Sequence, residues 1–211
     1  FKTNILKKYK KNYTSQQKLK KSKYDFIILS PGIDINNCSL TKFLKNNLKK
    51  ILTELDIFYK SYPNITTITV TGTNGKSTTC KLLHDILSNH GIDSRLTGNI
   101  GNPLLNEKKI TKNTVFVVEA SSYQLAYAKN FRSKFSLILN ISPDHLERHL
   151  TMKKYIQSKL KCVTNQIHHD ISIIQDNEAI KNILKVKRVK SKIIFLKKNK
   201  YLYLKKKIQN N

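Results

Sequence analysis

A short run from Val70 to Thr78, Val-Thr-Gly-Thr-Asn-Gly-Lys-Ser-Thr, has the composition of a phosphate-binding loop. It follows an apolar stretch that predicts a β-strand, and it opens a pattern that predicts a helix from Lys76 to about Asn89. Glycines in such a turn let backbone N–H groups approach an anion, and the helix N-terminus adds a favourable dipole. The lysine can reach the outer phosphates, and Ser77 can bind Mg²⁺ through its hydroxyl. The run predicts nucleotide binding, with an ordinary strand–helix turn as the alternative.

The spacing of this loop departs from the general P-loop pattern, which has four residues between its first glycine and its Gly-Lys pair. Here two residues separate Gly72 from Gly75, and valine occupies position 70, where the general pattern has glycine. The residues that we expect to bind the phosphates are Gly72, Thr73, Asn74, Gly75, Lys76, Ser77 and Thr78.

Two polar clusters directly follow apolar runs that we interpret as buried strands. Residues 119–125 read Glu-Ala-Ser-Ser-Tyr-Gln-Leu, and residues 140–149 read Asn-Ile-Ser-Pro-Asp-His-Leu-Glu-Arg-His. Open parallel sheets place their sites at the carboxyl ends of strands, so both clusters should lie at the same edge as the loop. A carboxylate there, such as Glu119, can bind Mg²⁺ directly or through water. The alternatives are a capping or surface role for Glu119 and a structural role for His145.

Alternating strand and helix patterns predict an α/β fold with a mainly parallel sheet. A further apolar run, Tyr24 to Leu29, predicts a short buried strand that ends in a Ser-Pro-Gly-Ile turn at residues 30–33. Residues 39–60 look helical but irregular, with a short strand near Ile51. The best boundary signal is Ser-Tyr-Pro-Asn at residues 61–64. Predicted strands beyond it are 65–70, 114–118, 135–141, 171–174 and 192–196, and predicted helices are 76–89, 151–164 and 177–184.

The charge of the chain invites a nucleic-acid function, since 40 Lys and Arg against 13 Asp and Glu give a net charge of +27. Only four of the basic residues are arginine, the residue preferred for contacts to phosphates and bases. The lysines are scattered, and neither clustered arginines nor stacking aromatics accompany the predicted site. A nucleic-acid-dependent ATPase is therefore the disfavoured alternative, and the lysines are interpreted as solvated surface residues.

The three cysteines, Cys38, Cys80 and Cys162, form neither a disulfide framework nor a zinc-binding spacing. Reduced thiols are the simplest interpretation, which favours the cytoplasm. No apolar run approaches the roughly 20 residues of a membrane span, so no membrane association is expected. Because the first residue is Phe1, we expect a fragment or a processed chain.

Six motifs between residues 30 and 159 resemble those of the Mur ligases, which assemble the peptide of peptidoglycan. The loop at 71–77 has the short spacing of the family, and Gly-Asn-Ile-Gly at 98–101 resembles its next motif. The clusters at 119–125 and 140–149 are similar to those of the branch that adds D-glutamate to UDP-N-acetylmuramoyl-L-alanine. Tyr-Ile-Gln-Ser-Lys at 155–159 resembles the motif that carries the family's modified lysine. The Ser-Pro-Gly-Ile turn matches one in the family's UDP-binding domain.

The resemblance implies a role for each matched residue. ATP phosphates would lie on residues 72–78, with Lys76 on the transferring phosphoryl group. Ser77 and Glu119 would bind one Mg²⁺ ion, while His145 would help to bind a second together with Lys159 as a carbamate. The implied catalytic residues are Lys76, His145 and Lys159, and the implied substrate contacts are Ser30, Gly32, Asn99 and Ser121. Tyr155, four residues before Lys159, is expected to pack beside it on the same helix face.

By the same resemblance, ATP would phosphorylate the terminal carboxylate of UDP-N-acetylmuramoyl-L-alanine, and the amine of D-glutamate would attack the acyl phosphate. Residues 1–61 would be a partial Rossmann-like, UDP-binding domain and residues 62–211 an incomplete ATP-binding domain, with the amino-acid-binding domain absent. We expect a monomer with small-molecule substrates in cytoplasmic peptidoglycan precursor synthesis. The alternatives are another Mur-type or folylpolyglutamate-type ligase and a non-catalytic nucleotide-binding remnant.

Overall fold

The structure is a computed structural model, and it describes residues 14–197. The chain divides into two compact units, one up to Ile51 and one from Leu52 onward. The domain boundary predicted at 61/62 lies one helix C-terminal to this division between Ile51 and Leu52. The outer ends of both predicted domains lie outside the described residues.

The first unit contains short elements only. Helix α1 spans Gln16–Lys21, strand β1 spans Ile27–Ile28, and helix α2 spans Thr41–Asn46. A 3₁₀ turn follows and leads into β2, Ile51–Leu52, which pairs with β1 in a two-stranded sheet. The predicted strand near Ile51 is thus confirmed. The predicted buried strand at 24–29 is wrong in length and burial, because Phe26 and Ile28 are 57% and 58% exposed.

The second unit is built on a six-stranded sheet in the order β4-β5-β3-β6-β7-β8, and every pair of neighbours is parallel. The fold is therefore α/β with a parallel sheet, as predicted. The central strand β3 leads into the phosphate-loop sequence and lies between β5 and β6. The strands are β3 Thr66–Thr71, β4 Ser94–Gly98, β5 Val115–Glu119, β6 Phe135–Ile138, β7 Ile171–Gln175 and β8 Lys192–Leu196.

Seven helices of the described chain belong to this unit. They are α3 Glu54–Ser61, α4 Lys76–Asn89, α5 Ser122–Ala126, α6 Leu146–His149, α7 Met152–Lys159, α8 Lys161–Thr164 and α9 Glu178–Lys187. The residues of β5 alternate between two cores, as expected for a strand buried on both faces. Phe116 and Val118 join a large core with α7, α8 and α9, whereas Val117 joins a smaller core with Cys80 of α4.

The predicted helix 76–89 matches α4, and Gly91 follows it with a φ of 73°, as a helix-ending glycine should. The four leucine and isoleucine residues of α4 differ in burial. Leu83 and Leu87 pack into the smaller core, but Leu82 and Ile86 are 59% and 48% exposed. The single helix predicted for 151–164 is divided into α7 and α8.

Candidate nucleotide and metal site

The loop between β3 and α4 uses its two glycines for different purposes. Gly75 has a φ of 79°, a left-handed conformation that glycine adopts without strain, and it immediately precedes the first helical residue. Gly72 packs tightly on the segment after β6. A Cβ atom at this position would lie 3.2 Å from Cβ of Leu139 and 3.3 Å from the backbone of Asn140. The first glycine therefore permits close packing, and the second permits the turn.

Hydrogen bonds tie the loop to the residues that follow β6. The backbone N–H of Thr73 donates to the carbonyl oxygen of Asn140 over 2.9 Å. Asn140 also accepts from the N–H of Asn74 through Oδ1 at 2.8 Å and donates to its carbonyl oxygen at 3.0 Å. The N–H groups of Thr73 and Asn74 are therefore already engaged. Those of Lys76, Ser77 and Thr78, in the first turn of α4, have no acceptor within the helix and are suited to an anion.

Two lysine side chains converge on the start of the loop. The ammonium group of Lys76 donates to the carbonyl oxygens of Gly72 and Thr73 at 3.0 and 2.8 Å. The amine of Lys159, at the end of α7, donates to the same Gly72 oxygen at 2.8 Å. Lys159 is 1% exposed and is not a solvated lysine. Burial, and secondarily the charge of Lys76, lower the pKa of Lys159 to about 8.

Tyr155 contacts both Lys159 and the phosphate loop. As expected, it packs beside Lys159, whose amine lies 4.6 Å from the ring centroid. The Tyr155 hydroxyl also shares a 3.1 Å hydrogen bond with the hydroxyl of Thr73, a contact that the sequence did not reveal. On its other side, Tyr155 contacts the ring of His149, which hydrogen-bonds Ser122 at 3.0 Å. Burial is the main cause that lowers the pKa of His149, so its neutral form is favoured.

Glu119, the last residue of β5, is a buried carboxylate with one engaged oxygen. The residue is 1% exposed, and Oε1 accepts a 3.0 Å hydrogen bond from Nδ2 of Asn99. Within residues 14–197, Oε2 is buried without a hydrogen-bond partner. A buried carboxylate oxygen that lacks a partner is costly, and a hard cation such as Mg²⁺ is the ligand that would satisfy it. The side chain therefore fits the metal role predicted for it.

The thiol of Cys80 lies in the same environment, since burial, followed by the charge of Glu119, raises its pKa to about 12. Cys80 is thus a protonated core residue, and its neighbours Glu119 and Lys76 both act on it electrostatically. Ser77 lies one residue after Lys76 and is exposed at the start of α4. Val70 at the start of the loop sequence pairs with Glu119 in the parallel register of β3 and β5, so the loop and Glu119 lie at the same edge of the sheet.

His145, predicted to bind a second metal ion together with Lys159, faces an aromatic ring and two carboxylates in this structure. It precedes α6 with a φ of 53°, and its ring packs on Tyr123 with centroids 4.8 Å apart. Its ring nitrogens lie 3.3 Å from Asp144 and 3.6 Å from Glu147. In the part of the chain that the structure describes, no three His, Cys, Asp or Glu side chains form a ready metal site.

The four predicted substrate residues occupy different settings. Ser121 caps α5, where its hydroxyl accepts from the N–H of Gln124 and donates to Oε1 of the same residue. Since a hydroxyl has one donor and two acceptor positions, Ser121 retains an acceptor only. Asn99 is exposed beside Glu119. Ser30 and Gly32 belong to the first unit, in a turn closed by the N–H of Ile33 on the Ser30 carbonyl oxygen at 3.1 Å.

Comparison with known proteins identifies the family of the chain. Residues 70–211 match the family described as the Mur ligase middle domain. The chain belongs to the Mur ligase family. A relative in Clostridioides difficile, named UDP-N-acetylmuramoylalanine--D-glutamate ligase, is 38% identical over 178 residues, which cover 83% of this chain and 39% of the relative. A relative of the same name in Rickettsia bellii is 39% identical over 172 residues, covering 81% and 38%.

Solved Mur ligase structures share the fold at low sequence identity. The MurF ligase of Thermotoga maritima, solved in complex with ADP, has a TM-score of 0.52 at 19% identity and covers 75% of this chain and 44% of its own. A UDP-N-acetylmuramate:L-alanyl-γ-D-glutamyl-meso-diaminopimelate ligase from Neisseria meningitides has a TM-score of 0.56 at 15% identity, covering 85% and 60%. The chain thus spans about two fifths of the length of the curated relatives it matches. No helix among the described residues is long and apolar enough to cross a membrane.

Proposed function

We propose that this chain contributes the nucleotide-binding part of an ATP-dependent ligase that adds D-glutamate to UDP-N-acetylmuramoyl-L-alanine, in cytoplasmic peptidoglycan precursor synthesis. The observation that carries the proposal is the 38% identity to a relative of that name over 83% of the chain. The buried carboxylate of Glu119 and the two lysines at the start of the loop are the chemical features that such a reaction needs at a phosphoryl group.

In the proposed reaction, a carboxylate oxygen of UDP-N-acetylmuramoyl-L-alanine attacks the terminal phosphorus of ATP, and the bond to ADP breaks. The amine of D-glutamate then attacks the acyl carbon, an amide bond forms, and inorganic phosphate leaves with the electron pair of the broken C–O bond. The substrates are small molecules. We assign the UDP-sugar contacts to Ser30, Gly32, Asn99 and Ser121.

The N–H groups of Lys76, Ser77 and Thr78 point from the start of α4 and would receive the phosphates. Lys76 now contacts two loop carbonyls, and on nucleotide binding its ammonium group would turn to a phosphate oxygen. This exchange keeps a charge-assisted hydrogen bond while adding attraction between opposite charges.

Glu119 and Ser77 would hold one Mg²⁺ ion, and His145 with a carbamate of Lys159 would hold a second. When bound, Mg²⁺ neutralises charge on the transferring phosphoryl group. The lowered pKa of Lys159 supports its modification, because only a neutral amine can capture CO₂. For His145 the proposal requires a side-chain rearrangement, since its ring now faces Tyr123 and two carboxylates.

The test is equilibrium binding of three probes to the purified chain: Mg-ADP, UDP-N-acetylmuramoyl-L-alanine and a single-stranded oligonucleotide. We expect saturable Mg-ADP binding that the UDP-sugar strengthens, and oligonucleotide binding that disappears near physiological salt because it rests on scattered lysines. Failure of the folded chain to bind Mg-ADP would overturn the proposal. It would also fail if the oligonucleotide, rather than the UDP-sugar, strengthened nucleotide binding.

A further inference from the structure

The two oxygens of the Glu119 carboxylate are treated differently by the protein. Oε1 accepts the 3.0 Å hydrogen bond from Asn99, whereas Oε2 is buried and unpartnered among the described residues. A carboxylate that is 1% exposed would ordinarily have both oxygens satisfied. The asymmetry means that one oxygen is fixed by the protein and the other is left available.

Asn99 is itself fastened to the strand that ends in Glu119. Its backbone N–H donates to the carbonyl oxygen of Glu119 over 2.9 Å, so main chain and side chain of Asn99 contact the same residue. The preceding Gly98 pairs with Glu119 in the sheet register and has a φ of 101°. A Cβ atom there would collide with the Glu119 carbonyl oxygen, so only glycine permits this approach.

The rest of the turn is held by a separate set of contacts. Asn102 accepts a 3.3 Å hydrogen bond from the N–H of Gly98 through its carbonyl oxygen. Its side-chain Nδ2 donates to Oε1 of Glu107 at 2.9 Å. Glu107 also pairs with Arg95 at 3.3 Å. Asn102 thus resembles Asn99 in chemistry, as a loop amide that donates to a carboxylate, but its partner is not Glu119.

We infer that Asn99 is a positioning residue for Glu119, which occupies Oε1 so that Oε2 alone is presented to a divalent cation. This inference rests on the proposed function. The amide keeps the buried carboxylate from rotating, and it does so through a group that cannot bind the cation strongly in its place. The exposed Asn99 can still use its second Nδ2 hydrogen and its Oδ1 atom toward a substrate.

The test measures Mn²⁺ binding to the chain saturated with ADP, by electron paramagnetic resonance, and ADP binding without divalent cation, by calorimetry. We expect Asn99→Ala to weaken Mn²⁺ binding by about 10- to 100-fold, the range found when a partner of a metal ligand is removed. ADP affinity without the metal should not change. The matched control is Asn102→Ala, which removes a similar loop hydrogen bond and should leave Mn²⁺ affinity unchanged.

A double-mutant cycle separates positioning from a general loss of structure. If Asn99 acts through Glu119, Asn99→Ala should weaken Mn²⁺ binding no further once Glu119→Gln is present. Additive losses, or an equal loss in Asn102→Ala, would overturn the inference. Absence of ADP binding in the unaltered chain would instead overturn the proposed function. ADP binding with a Mn²⁺ site that depends on Glu119 but not on Asn99 would overturn the inference alone.

Discussion

The side-chain amine of Lys159 donates a 2.8 Å hydrogen bond to the carbonyl oxygen of Gly72, 87 positions earlier in the chain. This bond joins the last residue of α7 to the first residue of the phosphate loop. The contact is possible because β6, which leads toward α7, lies directly beside β3 in the sheet. A lysine that sequence composition alone would assign to the surface is thereby part of the candidate site.

We predict that Lys159 makes stability depend on pH in alkaline solution. Its folded pKa of about 8 lies below its ordinary value of 10.5, so within this window the unfolded chain binds a proton that the folded chain does not. The free energy of unfolding should therefore rise with pH, relative to Lys159→Met, by at most about 1.4 kcal/mol per pH unit. Urea unfolding from about pH 7 to about pH 10 measures the difference. A pH-independent difference would show that Lys159 titrates normally.

We predict that Lys76→Ala weakens ADP binding by about 1.5–3 kcal/mol, the range for a charge-assisted hydrogen bond to phosphate. The fold should persist, because within residues 14–197 the hydrogen bonds of the Lys76 side chain go to two loop carbonyl oxygens and to no core residue. Lys81→Ala is the matched control on the same helix, since Lys81 is exposed and pairs with Asp85. Calorimetric titration with ADP provides the measurement, and equal affinities for the two variants would refute the phosphate-loop assignment.

We predict that Tyr155→Phe lowers the free energy of unfolding by about 1 kcal/mol, the usual value of a lost hydrogen bond. The substitution removes only the hydroxyl that contacts Thr73 and keeps the buried ring. Tyr127→Phe is the control, because its hydroxyl has no hydrogen-bond partner in the described part of the chain. Denaturant unfolding of both variants tests this, and similar stabilities would contradict a structural role for the Thr73 contact.

We predict that Gly98→Ala is more destabilising than Gly91→Ala. Both glycines have positive φ, 101° and 73°, so alanine is strained at either position. A Cβ atom on Gly91 would meet open space, whereas one on Gly98 would collide with Glu119. We expect the free energy of unfolding to fall by about 1 kcal/mol for Gly91→Ala and by about 3 kcal/mol for Gly98→Ala. Thermal or urea unfolding measures both values. Equal losses would indicate that the turn at Gly98 relaxes freely.

Much of the second unit could be predicted because its inner strands are continuous apolar runs and its longest helix begins and ends with clear signals. Strand β4 escaped prediction since its five residues, Ser-Arg-Leu-Thr-Gly, are mostly polar, and hydrogen bonds from β5 hold it in place. Leu82 and Ile86 continue the apolar pattern of α4 but are exposed, and the helical period alone cannot reveal how wide a stripe the sheet covers. Leu83 and Leu87 pack into the smaller core together with Cys80 of the same helix.

The candidate site was predictable in its residue types and in the packing of Tyr155 beside Lys159, but not in most of its hydrogen bonds. Its lysine, glycines and carboxylate lie beside strand ends, and that position could be inferred from the strand–helix alternation. The bonds from Asn140 to Asn74 and from Tyr155 to Thr73 depend on β6 lying beside β3, a strand order that local patterns do not encode. The partner of Asn99 likewise depends on the β4–β5 register.

The hydrogen bonds between Asn140 and the phosphate loop affect how a nucleotide binds. Thr73 and Asn74 are already ordered by three hydrogen bonds to Asn140, so these two residues lose little conformational entropy when a phosphate enters. Less of the binding free energy of the nucleotide is then offset by ordering of the loop. We expect nucleotide association to be fast, because this part of the phosphate loop is already arranged in the folded chain. Its rate should depend on diffusion and on the rotation of the Lys76 side chain toward the phosphate.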